Sequence, residues 1–425
     1  MNVNDTEILA GMLESEGYEA AKDIRVSGDQ GARESGYQDI RDGIILVNTC
    51  CVRESAENKA FGFISSLKPI KAQNPDLIVA VCGCIPKEVH IDLKKKFPFV
   101  DLIFGPDEKH KLSEFLGLNG CEIKPKREKS VTAYVTIIEG CNNFCSFCIV
   151  PYVRGRERSR PAHEIIEEIK ELDKSVFKEV VLLGQNVNSY QGLAARPACR
   201  QAGGQLLGIA NLLQQVHEID GIERIRFLTS HPRDMSDDII DAVKDLPKVC
   251  EYFHLPLQSG DDEILKAMNR GYTSDYYRRL VERIRNKIPD ATVTSDAIAG
   301  FPGETEEQFK NTLKLIKELE LDLVNTAAYS IRPGTAALKL PGQLPENTKK
   351  ERLKELMAIV EAAALKRNKG LIGKTLEVLV NENGVGRTRG NKVVKFRSKE
   401  DLTGQLINVK VTDAGSWVLA GDIVN

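Results

Sequence analysis

Between residues 131 and 345 a short apolar run recurs six times, and a segment with helical spacing follows nearly every one. The runs are Ala133 to Ile138, Glu179 to Leu183, Arg224 to Leu228, Tyr252 to Leu255, Thr292 to Ile298 and Leu323 to Tyr329. Ala162 to Leu172 and Thr305 to Glu318 are examples of the helices. Strands that alternate with helices pair in parallel, because a parallel neighbour needs a crossover. Six such units predict an α/β fold of partial (βα)6 type, an open TIM-like barrel over residues 131–365. In barrels the chemistry gathers where strands end and loops begin. The segments there are polar: EGCNNFCSFC, GQNVNSY, TSHPRD, HLPLQSG and AGFPGET.

Two further blocks flank this one. Residues 1–123 hold strand-like runs at Gly43 to Asn48, Leu77 to Cys82 and Val100 to Phe104, with helical patterns between. They predict a second, smaller parallel α/β domain, with ligand-binding residues at the carboxyl ends of its strands. Cys50 follows the first of these strands and Cys84 the second. The basic segment Lys124 to Lys129 reads as a linker. At the other end a charged helix, Glu346 to Gly370, precedes short β-like runs at even spacing, which predict a small β-barrel over residues 371–425. The stretch Gln191 to Gln205 lacks periodicity and reads as a surface insertion without chemistry.

The chain has 59 basic and 61 acidic residues, a net charge of -2, which excludes a protein that coats nucleic acid through charge alone. A local basic patch is still compatible with that balance. Arg387, Arg389, Lys392, Lys395 and Arg397 fall in one acid-free stretch of the C-terminal block. Small β-barrels with a basic face bind nucleic acid; a solvated edge strand defended by lysines is the plainer reading. No apolar run is long enough to cross a membrane as a helix. The acidic, non-apolar N-terminus argues against secretion and for the cytoplasm.

Ten cysteines stand in this chain, and seven of them cluster. Cys141, Cys145 and Cys148 are spaced to wrap one face of a cubane iron–sulfur cluster from a single loop. Four thiolates normally hold such a cluster, so three leave one iron open for chemistry. A zinc site wants four ligands, usually as two separated pairs. Downstream only His163 lies near enough, and no second CxxC pair exists. Cys121, Cys199 and Cys250 stand alone and read as small buried hydrophobes or spare thiols.

With the CxxxCxxC loop behind a first barrel strand, the chain resembles the radical S-adenosylmethionine superfamily. The segments NTCCVRESAENK, EGCNNFCSFCIVPYVRGRERSRP, LLGQNVNSY, TSHP, HLPLQSG, MNRGYT and GFPGET occur in order. Together they resemble the methylthiotransferases over nearly the whole chain. VRESAENK, VPYVRGRERSR and TSHP look most like the branch that acts on dimethylallyladenosine of tRNA. The C-terminal block is similar to the TRAM domain, a tRNA-binding barrel. Sister branches modify threonylcarbamoyladenosine of tRNA or an aspartate of a ribosomal protein. A reading of another class is a non-catalytic iron–sulfur protein that binds RNA.

The resemblance implies methylthiolation of the adenosine at position 37, beside the anticodon, with S-adenosylmethionine as both methyl donor and radical source. It implies two [4Fe-4S] clusters. Cys141, Cys145 and Cys148 would hold the radical-generating one. Cys50 and Cys84 match two of the three ligands of the other; Cys51 and Cys82 adjoin them, and because adjacent residues in extended segments face opposite ways their side chains are expected to point elsewhere. MNVNDTE resembles the family's residues immediately after the third ligand, so the N-terminus reads as truncated. The loops Gly184-Gln185-Asn186, His254 to Gly260 (including Gln258) and Asp296 to Glu304 would line the S-adenosylmethionine and substrate pocket. Arg387, Arg389, Lys392 and Lys395 would bind RNA. Partners would be tRNA, a flavodoxin- or ferredoxin-type electron donor and a sulfur donor.

Overall fold

A computed structural model describes residues 2–19, 43–51, 54–87, 92–117, 125–127, 130–193 and 206–424. They divide into two compact units. The first gathers residues from 1–128, 140–156 and 330–338; the second holds 129–139, 157–329 and 339–425.

The first unit is built on three parallel strands, Ile44–Thr49, Ile78–Gly83 and Leu102–Ile103, in that spatial order. Side chains alternate across the sheet. Val79, Val81 and Cys84 pack with Ile64, Leu67 and Phe97 in one core. Ala80 and Cys82 pack with Leu9, Met12 and Phe104 in the other. Both faces are thereby covered, as a parallel sheet requires. The helix Asn2–Ser15 that supplies Leu9 and Met12 is absent from the sequence reading. The segment read as a linker also differs in its described part. The Lys126 amide donates to the Glu7 carbonyl (2.8 Å) and Arg127 pairs with Glu7 (3.2 Å), which ties residues 125–127 to that helix.

The second unit contains the six expected parallel strands in sequence order. Thr132–Thr136, Glu179–Leu183 and Arg224–Leu228 form one sheet. Tyr252–His254, Thr292–Ala299 and Leu323–Ala328 form another. An Ile225–Val249 bridge joins them. Val180, Leu182, Ile225, Phe227 and Phe253 pack under the helices. The alternate residues Glu179, Arg224, Arg226 and Tyr252 are also buried but polar or amphipathic, and they face the other way. Gln191–Leu193 pairs antiparallel with Leu206–Gly208, so the start of the expected insertion is strand rather than loop; residues 194–205, with Cys199, lie outside the described residues.

The long helix Glu346–Lys369 leads into a closed five-stranded barrel, in the order Thr375–Glu382, Val385–Thr388, Val393–Lys395, Val418–Val424, Leu406–Ala414. This barrel docks on the amino-terminal edge of the six strands. Arg224 donates to the Arg387 carbonyl (2.7 Å) and to Glu377 (2.8 Å). Arg226 donates to the Arg389 carbonyl (2.7 Å) while pairing with Glu179 (3.0 Å). Gly390 makes the approach possible: a Cβ there would lie 2.1 Å from Thr292 Oγ1. Breaking a buried pair leaves the partner charge stranded. Arg226→Met is therefore expected to destabilise the protein by about 3–5 kcal/mol, because Glu179 would keep only the Thr132 hydroxyl (3.1 Å). Denaturant unfolding checks this, and a variant as stable as the wild type would contradict the docking account.

Candidate radical cluster loop and its supports

The Cys141, Cys145 and Cys148 loop follows the two-residue strand Ile138–Glu139. Its turns need unusual backbone. Gly140 has φ 74°, and a Cβ there would fall 2.3 Å from the Arg156 carbonyl. Phe144 is left-handed at φ 47°, a conformation a bulky side chain adopts only under constraint. Its ring meets Tyr152 edge-on at 5.7 Å and Arg156 lies over it at 4.4 Å. Cys141 donates its amide to the Gly155 carbonyl, and Cys148 donates to the Cys145 carbonyl (2.9 Å), which closes the loop. All three thiols are free of disulfides; Cys141 and Cys145 are buried and Cys148 is half-buried. The Asn143 amide reaches Cys141 Sγ at 3.5 Å. Among the described residues no three His, Cys, Asp or Glu side chains converge on a single-ion position. Three thiols outside any disulfide on one loop, largely shielded and with an amide directed at one sulfur, fit a cubane cluster.

This loop packs within the same unit as the N-terminal sheet. Ile149 and Val153 join the core that holds Val79, Val81 and Cys84. Arg154, almost fully buried, pairs with Asp5 at 2.9 Å and hydrogen-bonds Cys84. Lys109 also reaches Asp5 at 2.8 Å. The Ala337 amide donates to the Ser146 carbonyl (2.8 Å), and Arg332 pairs with Glu57.

Parallel register places Cys50 and Cys84 side by side, since Thr49 pairs with Gly83 and each cysteine is the next residue. The Cys84 amide donates to the Thr49 carbonyl at 3.0 Å. The Cys84 thiol is drawn down to about 6, first by a hydrogen bond from Cys51, with Arg154 adding to it and burial opposing. Cys82 sits on the opposite face, where burial pushes its thiol up. The adjacent cysteines thus separate: Cys51 turns toward Cys84 and Cys82 away from it.

The barrel-end residues in the second unit divide by role. His254 Nδ1 lies 3.0 Å from Thr294 Oγ1, and its Nε2 lies 3.4 Å from Asp296. Asp296 also accepts from Asn325 (2.9 Å). Gln258, left-handed at φ 73°, exchanges backbone hydrogen bonds with residues 296 and 298. Gly184 packs tightly against Ile138, where a Cβ would lie 2.2 Å from its side chain; Gln185 is its half-buried neighbour. Asn186 is a brace: it accepts from the His231 amide (3.0 Å) and donates to Asp234 (2.7 Å). Glu304 accepts from the Gly300 amide and from Arg352, both at 2.8 Å, which ties the GFPGET turn to the long helix; burial raises its carboxyl.

Three supporting residues, Arg270, Tyr272 and His231, were not singled out as site residues in the sequence. Arg270 donates to the Pro256 carbonyl (2.8 Å) and Tyr272 to the Leu257 carbonyl (2.8 Å), so MNRGYT holds HLPLQSG in place. His231 is pushed down to about 2 by burial and by Arg270 and Arg233, and so stays neutral. Among the described residues six non-glycine positions have positive φ; Phe144, Thr229, Gln258 and Asn269 lie in the distinctive segments, and Glu320 and Asn391 lie outside them. Strained backbone gathers at functional loops.

The basic stretch divides into paired and exposed residues. Arg389 makes a bidentate pair with Glu251 (2.7 and 2.8 Å), and Lys392 pairs with Asp322 (2.8 Å). Both hold the C-terminal barrel in place, while Arg387, Lys395 and Arg397 are exposed. For the first unit, Arg154→Met is expected to cost about 3 kcal/mol in denaturant unfolding, because Asp5 loses a buried partner. A loss under about 0.5 kcal/mol, the level of a neutral surface change, would show that this pair is not what fastens the loop.

Family models match the chain in three places: the Radical SAM superfamily over residues 135–316, Uncharacterized protein family UPF0004 over 1–105 and the TRAM domain over 369–424. The chain is 45% identical over 451 residues to tRNA-2-methylthio-N(6)-dimethylallyladenosine synthase of Clostridium perfringens (strain SM101 / Type A), covering 100% of this chain and 95% of the relative. The synthase of Pelotomaculum thermopropionicum is 46% identical over 452 residues, covering 99% and 95%. Among solved structures, the radical S-adenosylmethionine methyltransferase TsrM from Kitasatospora setae aligns with TM-score 0.57 at 15% identity, over 79% of this chain and 72% of that one, a likeness of fold alone. The chain belongs to the tRNA-2-methylthio-N(6)-dimethylallyladenosine synthase family, transferases of the radical S-adenosylmethionine superfamily that use a [4Fe-4S] cluster and S-adenosylmethionine.

Proposed function

We propose that this protein converts dimethylallyladenosine beside the tRNA anticodon to its 2-methylthio derivative. The observation that carries this is full-length identity of 43–46% to synthases of that name, joined to the Cys141, Cys145 and Cys148 loop. Those three thiolates would hold a [4Fe-4S] cluster and leave one iron for S-adenosylmethionine. Bound there, cluster and S-adenosylmethionine supply a 5′-deoxyadenosyl radical able to activate an aromatic C–H bond.

The chain's own share is binding, orientation and exclusion of water. Cys50 and Cys84 would be thiolates of a second cluster associated with the sulfur to be transferred. Arg154 keeps Cys84 and the radical loop on one scaffold. Gly184, Gln185, His254, Gln258 and Asp296 would line the S-adenosylmethionine and substrate pocket, with Asn186 and Glu304 fixing its loops. The domain assignment that goes with this is 1–123 for the N-terminal methylthiotransferase domain, 131–365 for the radical domain and 371–425 for the RNA-binding barrel. Arg387 and Lys395 would meet tRNA phosphates, with Arg389 and Lys392 acting through the docked barrel. A flavodoxin- or ferredoxin-type protein would deliver the electron, a separate donor the sulfur, and the setting would be the cytoplasm. No helix among the described residues is long and apolar enough to cross a membrane.

Mass spectrometry of tRNA nucleosides from a deletion strain tests this reading. Loss of the 2-methylthio-dimethylallyladenosine signal is expected, restored by the complete gene and by none of Cys141→Ala, Cys145→Ala or Cys148→Ala. An unchanged signal in the deletion strain, or loss of the methylthio-threonylcarbamoyl nucleoside instead, would contradict it.

A further inference from the structure

The chain has a single tryptophan, and Trp417 is 50% exposed. An indole left half in water calls for an explanation when its backbone is held as firmly as this one. Asn368, 4% exposed, donates to the carbonyls of Gly415 and Ser416 at 2.9 and 3.0 Å. The same side chain accepts from Lys392 at 2.9 Å. The Gly415 amide closes the turn onto the Val418 carbonyl (2.9 Å). The turn therefore presents the ring from a fixed position, at little ordering cost to a ligand.

Beside the ring lies a cavity of about 340 Å³, lined by Trp417, Arg387, Asn391, Lys392, Tyr252 and Thr294, among others. Arg387 and Val393 are cross-strand partners, and Val393 in turn pairs with Val418. The row places the exposed guanidinium two strands from the tryptophan, on the same outer face as Lys395. Among the described residues the Arg387 guanidinium donates only to the Asn391 carbonyl and side-chain oxygen, both at 3.3 Å, and no carboxylate lies within ion-pair distance of it. It contrasts with Arg389 and Lys392, which are held by carboxylates.

A flat aromatic face, a free planar cation and amide and hydroxyl groups around a cavity are the components that bind an unpaired nucleotide. The base stacks and the phosphate meets the cation. Tyr252 and Thr292 open their strands, so this cavity is at the amino-terminal edge of the sheet. Barrel chemistry belongs to the carboxyl edge. We infer that the Trp417 and Arg387 cavity holds a second, non-reacting nucleotide of the tRNA, with its base on the indole and its phosphate on Arg387. The inference rests on the tRNA reading above and adds to it a recognition site away from the reacting base.

The test uses the intrinsic emission of the full-length protein, whose only indole is Trp417. Unmodified tRNA and an anticodon stem-loop hairpin are titrated in, with a fully paired RNA duplex as comparison. Saturable quenching by tRNA and by at least one unpaired region, and not by the duplex, is expected. Trp417→Ala and Arg387→Gln should each weaken tRNA binding roughly tenfold in filter assays, and Trp417→Tyr should recover most of it. Arg387→Gln should also lower the slope of log affinity against log salt by about 0.7, the loss of one phosphate contact. Full-affinity tRNA binding with unchanged emission would overturn the inference and leave the catalytic reading standing, as would equal quenching by the duplex or wild-type affinity in both Trp417→Ala and Arg387→Gln. Failure of any tRNA to bind the wild-type protein would sink both.

Discussion

Parallel pairing is the constraint on which the rest of this structure depends. It sends every strand in a sheet to the same edge, so loops from distant parts of the chain share a neighbourhood. In the first unit it sets Cys50 beside Cys84 through the Thr49 and Gly83 register. In the second it separates two edges with different duties. His254, Gln258 and Glu304 lie at or beyond the carboxyl ends of their strands, while Arg224, Tyr252 and Thr292 open theirs and receive the C-terminal barrel.

Buried arginines stabilise what the sheets position. Arg154, Arg226, Arg270 and Arg352 are each less than a tenth exposed, and each donates to a carboxylate or a carbonyl. A guanidinium offers several donors in a fixed plane, which suits it to holding two chain segments at once. Arg154 does so between the radical loop and helix Asn2–Ser15, and Arg226 between Glu179 and the barrel loop at Arg389. Much of what looks like catalytic decoration in VPYVRGRERSR, MNRGYT and GFPGET thus works as scaffolding. The cysteines, His254 and Asp296 are left as the candidates for the chemistry proposed above.

The sequence made the partial barrel legible because its six strands are regularly spaced and flanked by helices with clear apolar faces. The cysteine loop was legible as a candidate cluster site because three cysteines at fixed spacing carry their chemistry locally. Contacts between residues far apart in the chain were not. The acid-free run from Arg387 to Arg397 hides its partners, since Glu251 and Asp322 approach Arg389 and Lys392 only after folding. Helix Asn2–Ser15 escaped notice because its apolar residues follow no strong stripe, and its role came from packing Leu9 and Met12 on the sheet. Strand alternation predicted that both Cys51 and Cys82 turn away from the ligand positions. It holds for Cys82, inside a regular strand, and fails for Cys51, which lies past the strand end.

The central claim is that the Cys141, Cys145 and Cys148 loop carries an iron–sulfur cluster with one iron open to S-adenosylmethionine. Electron paramagnetic resonance of the reduced, reconstituted protein tests it most directly, recorded with and without S-adenosylmethionine. The account predicts a cluster signal that changes when S-adenosylmethionine is added, and no such change in a protein with all three cysteines replaced by alanine. An S-adenosylmethionine-dependent change that persists in the triple variant would contradict it.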